Sequence, residues 1–455
     1  MRLSKLKEKL EKGRNTYHVN STVNHVFQNK RKKDLDDVKI IGITGSRGKT
    51  TVANIVHEYL KSKGYKSILY SSSKIDSPSS IINPYDACEV PIKNEEMLFD
   101  IIEQAETYDA DYLVLEINES TIEKGFLNDV DFDVKVLTNI IPTGTEGLYT
   151  TDEYLNLKKS FFENTPNPEE CKCVMGFVYY TKELFEEFLN TNSMQKYLFS
   201  TNYTVDRRGM ERNKFMCLLD EFEDSINGLF MKVKLDNKFY TLGTNLFTNN
   251  NALNILCAMT ILKALDIFDI NCLNKVLRNI TIPGRLELIK ANFRYFLIDT
   301  TICPVLDILN NYKANNEIDK IKVVLGSAGK TFSTWDKKYK TDEYKKQRDI
   351  TREKAMNYLK DRADEVYLTS NDNGGERKED ICKVLQNHLG ESITTKIVLD
   401  RKEAIERAIK ESDKGDLILI SGRGNRNIFC DDETHIKLFK DKDVVLKVLD
   451  ELGWL

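Results

Sequence analysis

Three things are scarce in this chain, and each scarcity removes a class of function. The nine cysteines include no C-x-x-C pair, and Cys171-Lys172-Cys173 by itself is not a zinc site; a disulfide framework is excluded and reduced structural thiols are expected. Neither charge sign is in excess. Lys and Arg number 67 against 71 Asp and Glu, a net charge of −4, so no global electrostatic argument favours nucleic acid or an anionic membrane. Long hydrophobic runs are missing too: Leu417 to Ile420 is typical, strand-sized and far below a membrane span, and Met1 to Lys12 reads as a charged helix rather than a signal peptide. The expectation is a cytosolic protein with no nucleic-acid and no membrane partner. There is no internal repeat and no low-complexity tract.

What is present is length and alternation. At 455 residues the chain exceeds one ordinary core and should form two or three domains. Short β-like runs at Lys39–Thr44, Tyr112–Glu116, Val134–Thr138, Lys322–Leu325, Glu365–Leu368 and Leu417–Ile420 are separated by helical stretches. That alternation is the mark of βαβ units and parallel sheets, so the fold class is α/β. Val174 to Tyr240 reads as irregular and partly antiparallel, and Asn251 to Leu265 as an apolar helix. A break near Pro283-Gly284-Arg285 suggests three parts: a helical lead-in over 1–35, a nucleotide-binding domain over 36–284 and a Rossmann-like domain over 285–455. The charged stretch Lys330 to Lys354 reads as a solvated helix or loop.

The densest chemical signal is Gly42-Ile43-Thr44-Gly45-Ser46-Arg47-Gly48-Lys49-Thr50-Thr51. A glycine-rich turn between a strand and a helix aims successive backbone N–H groups at an anion, and the helix N-terminus adds positive potential. Lys49 would reach the β- and γ-phosphates, and Thr50 would offer a hydroxyl to Mg²⁺. The strict G-x-x-x-x-G-K-[ST] spacing is not met, because Ile43 stands where its first glycine would fall. Glu116, at the end of a strand, would project at the carboxyl edge of a parallel sheet, where a carboxylate meets the metal; a surface glutamate is the plainer alternative. Thr138-Asn139 follow another strand and belong to the same crevice, unless they serve only as helix caps.

Taken in order, that loop, Glu116 followed by Ser120, Thr138-Asn139, Tyr154 with Lys158, Pro283-Gly284-Arg285 with Glu287, and Asp400-Arg401 with Ala404-Ile405 resemble the Mur ligase family, in particular its muramyl-tripeptide synthetase branch. The match runs from about residue 36 to 455, with weak stretches inside, and rests on many motifs in one order. The resemblance implies a central ATPase domain, a C-terminal Rossmann-like domain, and an ADP-forming amide ligase. ATP phosphorylates a substrate carboxylate, an amine attacks the acyl phosphate, and phosphate leaves. By this likeness Gly45, Ser46, Arg47, Gly48, Lys49, Thr50 and Thr51 cradle ATP, together with Asn251, Arg285 and Asp299. Lys49, Glu116, Lys158 and Arg285 carry the chemistry, and Thr50, Glu116 and Lys158 serve Mg²⁺. Lys158 matches the family's carbamylated lysine; without the resemblance it is one more exposed lysine beside Lys159. Asn139, Asp372, Asn373, Arg423 and Arg426 would meet the substrates, a small-molecule or peptide carboxylate and an amino acid.

Four departures bear on the substrate. Only the residues before Gly42 stand where the cell-wall branch carries its uridine-nucleotide domain, which argues against a UDP-sugar-peptide. Thr143-Gly144 replace the family's Asp-His pair, with Glu146 a candidate to compensate, and Asp299-Thr300-Thr301-Ile302-Cys303-Pro304 keeps an aspartate but loses a histidine. In the amino-acid pocket, Asp372-Asn373-Gly374-Gly375 and Gly422-Arg423-Gly424-Asn425-Arg426 lack the arginine and the glutamate that hold the far end of diaminopimelate. Arginine pairs with carboxylate, so glutamate or aspartate is the expected amine. A folylpolyglutamate- or poly-γ-glutamate-synthetase-like ligase is the alternative within the superfamily. A nucleotide-binding regulatory subunit without turnover, or a kinase, is the alternative outside it.

Overall fold

The computed structural model describes residues 37–77, 92, 94–141, 149–178, 181–302, 305–329, 342–373, 376–430 and 436–455. The expected lead-in, Thr143-Gly144, Glu146, Cys303-Pro304, Lys330 to Lys340 and Gly374-Gly375 lie outside them. From 342 the charged stretch is helical, Asp342–Lys360.

Strands β1 (Lys39–Thr44), β2 (Ser67–Tyr70), β3 (Ile75–Asp76), β4 (Tyr112–Glu116), β5 (Val134–Leu137), β6 (Lys172–Gly176), β7 (Gln195–Thr201), β8 (Cys217–Ser225), β9 (Gly228–Leu235) and β10 (Lys238–Thr244) form one ten-stranded sheet. Its order is β10-β9-β8-β7-β6-β5-β1-β4-β2-β3. The central strands are parallel and covered on both faces, and so they read as continuous apolar runs. One face packs Val52, Ile55, Val56 and Tyr59 of helix Lys49–Ser62 against Leu256, Met259 and Ile261 of helix Asn249–Ala264. The other face packs Leu98 and Ile102 of helix Glu95–Tyr108 and Phe161 of helix Thr151–Glu163. β9 and β10 are antiparallel, as the reading of that region expected.

The second sheet joins β11 (Glu287–Ala291), β12 (Arg294–Asp299), β13 (Ile321–Leu325), β14 (Glu365–Leu368), β15 (Thr394–Ile397) and β16 (Leu417–Ser421) in the order β11-β12-β16-β13-β14-β15. All pairs but β11–β12 are parallel. A small antiparallel pair, β17 (Ile428–Cys430) with β18 (Ile436–Leu438), follows. The α/β class expected from the alternation is the fold observed. Among the described residues no helix is long and apolar enough to cross a membrane.

The two sheets are fastened at the β8–β9 turn. Ile226 and Phe247 are buried in the second body's core beside Tyr312. Tyr312 donates to Asp224 Oδ1 (2.6 Å) and the Ile226 N–H to Glu317 Oε2 (2.8 Å).

Candidate active site

In the first sheet β1 lies between β4 and β5, and a ligand crevice opens where chain connections leave such a strand in opposite directions. Three conspicuous segments therefore meet: the loop after β1, Glu116 at the end of β4, and Thr138-Asn139 after β5. Gly45 and Gly48 have φ of 144° and 82°. A Cβ on Gly45 would lie 2.0 Å from Thr138 Oγ1, and one on Gly48 2.0 Å from Asn254 Oδ1. Both positions thus need glycine for backbone conformation and for space.

Asn139 fastens this loop. Its carbonyl accepts from the Ser46 N–H (3.0 Å), its Oδ1 accepts from the Arg47 N–H (3.0 Å), and its Nδ2 donates to the Arg47 carbonyl (3.0 Å). Thr138 Oγ1 donates to the same carbonyl (2.6 Å). Ser46 Oγ accepts from the Ile141 N–H (2.7 Å) and shares a hydrogen bond with Tyr154 OH (2.6 Å); burial pushes the Tyr154 phenol upward. The Arg47 side chain is exposed, and Thr51 is buried in the first helical turn.

Lys49, Ser72, Glu116, Asn118, Glu119, Pro283, Arg285, Thr300, Arg423, Asn425 and Arg426 line one cavity of about 300 Å³ between the two sheets. Lys49 Nζ donates to the Gly45 carbonyl (2.7 Å). Thr50 Oγ1 lies 2.8 Å from Ser72 Oγ. Ser72 donates from its backbone N–H to Glu116 Oε2 (2.8 Å) and from its hydroxyl to Oε1 (3.2 Å). Two hydroxyls and a carboxylate thus converge beside the loop, a donor set suited to a hard divalent cation. Arg285 bridges the bodies, hydrogen-bonded to Thr300 of the second and 3.4 Å from Ser72 Oγ of the first. Asn425 Nδ2 reaches the Ser73 carbonyl (2.6 Å).

Lys158 is fully buried, unlike the exposed lysine that the bare sequence offers. Its helix starts at a reciprocal cap between Thr150 and Glu153. That start sets Tyr154 and Lys158 on one face, with Nζ 5.4 Å from the Tyr154 ring centre. Nζ lies 2.6 Å from Glu119 Oε1, which is also 3.8 Å from Lys49 Nζ. Burial lowers the Lys158 ammonium to about 8 against the pull of Glu119. Burial works against the Glu119 anion, yet Lys49 and Lys158 hold its carboxyl at about 2.

On the facing wall, the buried Asp372 carboxylate receives Arg423 Nη1 on Oδ1 (2.7 Å) and Arg426 Nη1 on Oδ2 (2.9 Å). Arg423 is wholly buried, its guanidinium 4.7 Å from the Phe429 ring centre and also bonded to the Ile428 carbonyl. Burial pushes the pKa of its guanidinium down despite Asp372. Arg426 remains one-third exposed (33 %).

Not every expected site residue reaches the cavity wall. Asp299 accepts from the Leu286 N–H and from the N–H and hydroxyl of Thr301, each at 3.0 Å; it caps the strand end. Asn251 donates to the Phe247 carbonyl (2.9 Å) and accepts from Asn254 (3.1 Å), the residue against Gly48. Asn373 is buried beside Asp372. Sequence reasoning passed over Ser72, Asn118 and Glu119, and quoted Thr300 and Asn425 within longer motifs without giving them a role. The Ser71-Ser72-Ser73 run and a second glutamate three residues after Glu116 were the available signals.

A phosphate loop at a sheet switch point, facing basic residues from a second parallel sheet, defines a nucleotide-binding two-body α/β protein. The Mur ligase middle domain model matches residues 43–262, and the Mur ligase, glutamate ligase domain model matches 304–424. The chain belongs to the Mur ligase family and is an ATP-dependent, ADP-forming carbon–nitrogen ligase. A UDP-N-acetylmuramoyl-L-alanyl-D-glutamate–2,6-diaminopimelate ligase of Wolinella succinogenes is 23 % identical over 91 % of this chain and 86 % of its own. A UDP-N-acetylmuramyl-tripeptide synthetase of Borreliella burgdorferi is 25 % identical over 92 % and 78 %. In fold, the chain is similar to a MurF ligase of Thermotoga maritima in complex with ADP (TM-score 0.58, 16 % identity, 95 % of this chain and 87 % of that one). It is also similar to a folylpolyglutamate synthase of the same organism (TM-score 0.59, 17 %, 92 % and 89 %).

Proposed function

We propose that this protein joins an amino acid bearing a second carboxylate to a small-molecule or peptide carboxylate, using ATP and Mg²⁺, across the cavity between its two sheets. The observation that carries the reading is the charge around that cavity. Lys49 and Arg285 lie on the phosphate side, and Arg426 faces them from the second body. Among the described residues that second wall offers Thr300, Arg423, Asn425 and Arg426, and the Asp372 carboxylate beside it is taken by two guanidinium groups. Glu116 and Glu119 line the opposite wall, so among the described residues a distal ammonium on the second wall would meet no unpaired carboxylate, whereas a carboxylate would meet Arg426.

The loop N–H groups and Lys49 hold the β- and γ-phosphates, and Arg285 meets the charge that develops on the transferring group. Thr50, Ser72 and Glu116 would hold Mg²⁺, which when bound neutralises phosphoryl charge. The substrate carboxylate attacks the γ-phosphorus, the bond to ADP breaks and an acyl phosphate forms. The amino acid, its distal carboxylate on Arg426, attacks the acyl carbon through its neutral amine; phosphate departs and the nitrogen gives up a proton, leaving an amide. Arg285 and Asn425 each touch the opposite body, so closure completes the site and excludes water.

The test is ADP and phosphate release with pooled acids, including glutamyl peptides, folates and UDP-muramyl peptides, crossed with an amino-acid panel. Release that needs both an acid and glutamate or aspartate supports the reading. Diaminopimelate or lysine as best amine overturns the amine class. Nucleotide binding without acceptor-dependent turnover overturns the ligase.

A further inference from the structure

An antiparallel sheet with one wet face ordinarily turns apolar side chains inward and polar ones outward. The β8–β9–β10 meander keeps that rule on its inner face, where Leu229, Met231, Val233 and Leu242 join the core under helix Asn249–Ala264. Its outer face breaks the rule. Phe230 and Phe239 belong to neither core of the first sheet and stand 55 % and 59 % exposed. The register sets Phe230 opposite Gly243, Lys232 opposite Thr241 and Lys234 opposite Phe239, with Glu223 of β8 on the other side of Phe230. A Cβ on Gly243 would meet no atom within 4 Å, so the Phe230 ring does not cover that glycine and an open notch lies beside it. Glu223 and Lys234 form no ion pair among the described residues. Two exposed rings, a notch and two unpaired opposite charges thus share one surface.

We propose that this outer face binds a second copy of the chain, in a weak symmetric dimer. The face is its own complement under one two-fold axis, which lies between the stacked sheets, perpendicular to the strands, and passes over the Lys232–Thr241 pair. That rotation lays each strand over its own counterpart in reverse. Phe239 then falls on Gly243 of the second copy, and Lys234 falls on its Phe230 beside its Glu223. An exposed ring fills a notch, and an unpaired ammonium gains an aromatic face and a carboxylate, each contact being made twice. Lys232, on the axis, is already neutralised by Asp220 and Glu221, at 3.1 Å from each, and does not repel its counterpart. The other in-plane axis, along the strands, would set Lys234 on Lys234 and leave Glu223 over Gly243. Three strands of about seven residues offer roughly 350 Å² per copy, less than half of the about 800 Å² per partner of a standard interface. The association is therefore weak and concentration-dependent.

Sedimentation velocity of the full chain from about 1 to 300 µM should show a monomer–dimer equilibrium. Gly243→Leu fills the notch at a site where the single chain has open space, and Phe239→Glu removes the ring that enters it; each should leave the chain monomeric. Glu223→Lys and Lys234→Glu each set like charge on like charge and should weaken self-association about tenfold or more. Mixed one to one, those two variants meet as Lys on Glu at both contacts, so dimers should return. None of these residues lines the cavity between the sheets, and melting temperature and nucleotide binding should match wild type in every variant, which confirms that each is folded. A wild type that stays monomeric across that range overturns the proposal. So does a dimer that survives both Gly243→Leu and Phe239→Glu, or a mixture that associates no better than its two components alone.

Discussion

Asp372→Asn keeps the shape of a side chain while removing the charge on which two arginines depend. Arg423 has no solvent contact, and its remaining partners would be the neutral oxygens of Asn371 and Ile428. Breaking a buried ion pair from one side costs about 3–5 kcal/mol, because the orphaned charge stays buried. For a cooperative unit of this size, each kcal/mol moves the melting point by about 2–4 °C, so the transition of the second body should fall by roughly 6–20 °C. Differential scanning calorimetry of the full chain reads this directly. Asp372→Asn combined with Arg423→Met removes the orphan, and stacking on Phe429 is retained by a flexible apolar side chain, so more than half of the loss should return. A single variant melting within about 2 °C of wild type, or a double variant no better than the single, would refute the argument.

Other perturbations are sharp for different reasons. Gly48→Ala would place a Cβ at φ 82°, 2.0 Å from Asn254 Oδ1; about 1–3 kcal/mol of stability and tight ATP binding should be lost together, as calorimetric titration would show. Arg285→Ala should leave nucleotide affinity largely intact but lower kcat about 10³-fold or more in single-turnover assays. Lys135 is buried, donates to the carbonyls of Phe161 and Asn164 (2.7 and 2.9 Å), and is lowered by burial to about 8 from 10.5. Between pH 8 and 10.5 the unfolded chain holds a proton there that the folded chain does not, so this group's contribution to stability rises with pH. Urea titrations should show wild type gaining on Lys135→Met across that window, and a gap that is flat or shrinks would contradict it.

The fold class was legible because the parallel strands are buried on both faces and appear as uninterrupted apolar runs; β1 and β4 span the expected residues, and β5 ends at Leu137, one residue short. The loop was legible because its function is written in backbone conformation, which glycine spacing encodes. Lys158 was not legible as a buried cation: its burial depends on a β1 residue 114 positions away, and a lysine beside Lys159 looks solvated. Ser72 follows a four-residue strand too short to stand out, yet it joins Thr50, Glu116 and Arg285. The Asp372–Arg423–Arg426 cluster joins loops some fifty residues apart; the sequence shows the charges but not that one carboxylate serves both guanidinium groups. Asn139 was read toward substrate, and its amide instead holds Arg47, a distinction that only the placement of β5 beside β1 can make.

The most direct test of the central claim follows oxygen. With the acid partner labelled with ¹⁸O in its carboxylate, an acyl-phosphate ligase transfers one labelled oxygen to inorganic phosphate for every amide formed, in step with ADP release. Mass spectrometry of the phosphate should show that single label, dependent on both acid and amine. Unlabelled phosphate alongside ADP, or label transfer without an amide product, would contradict the account.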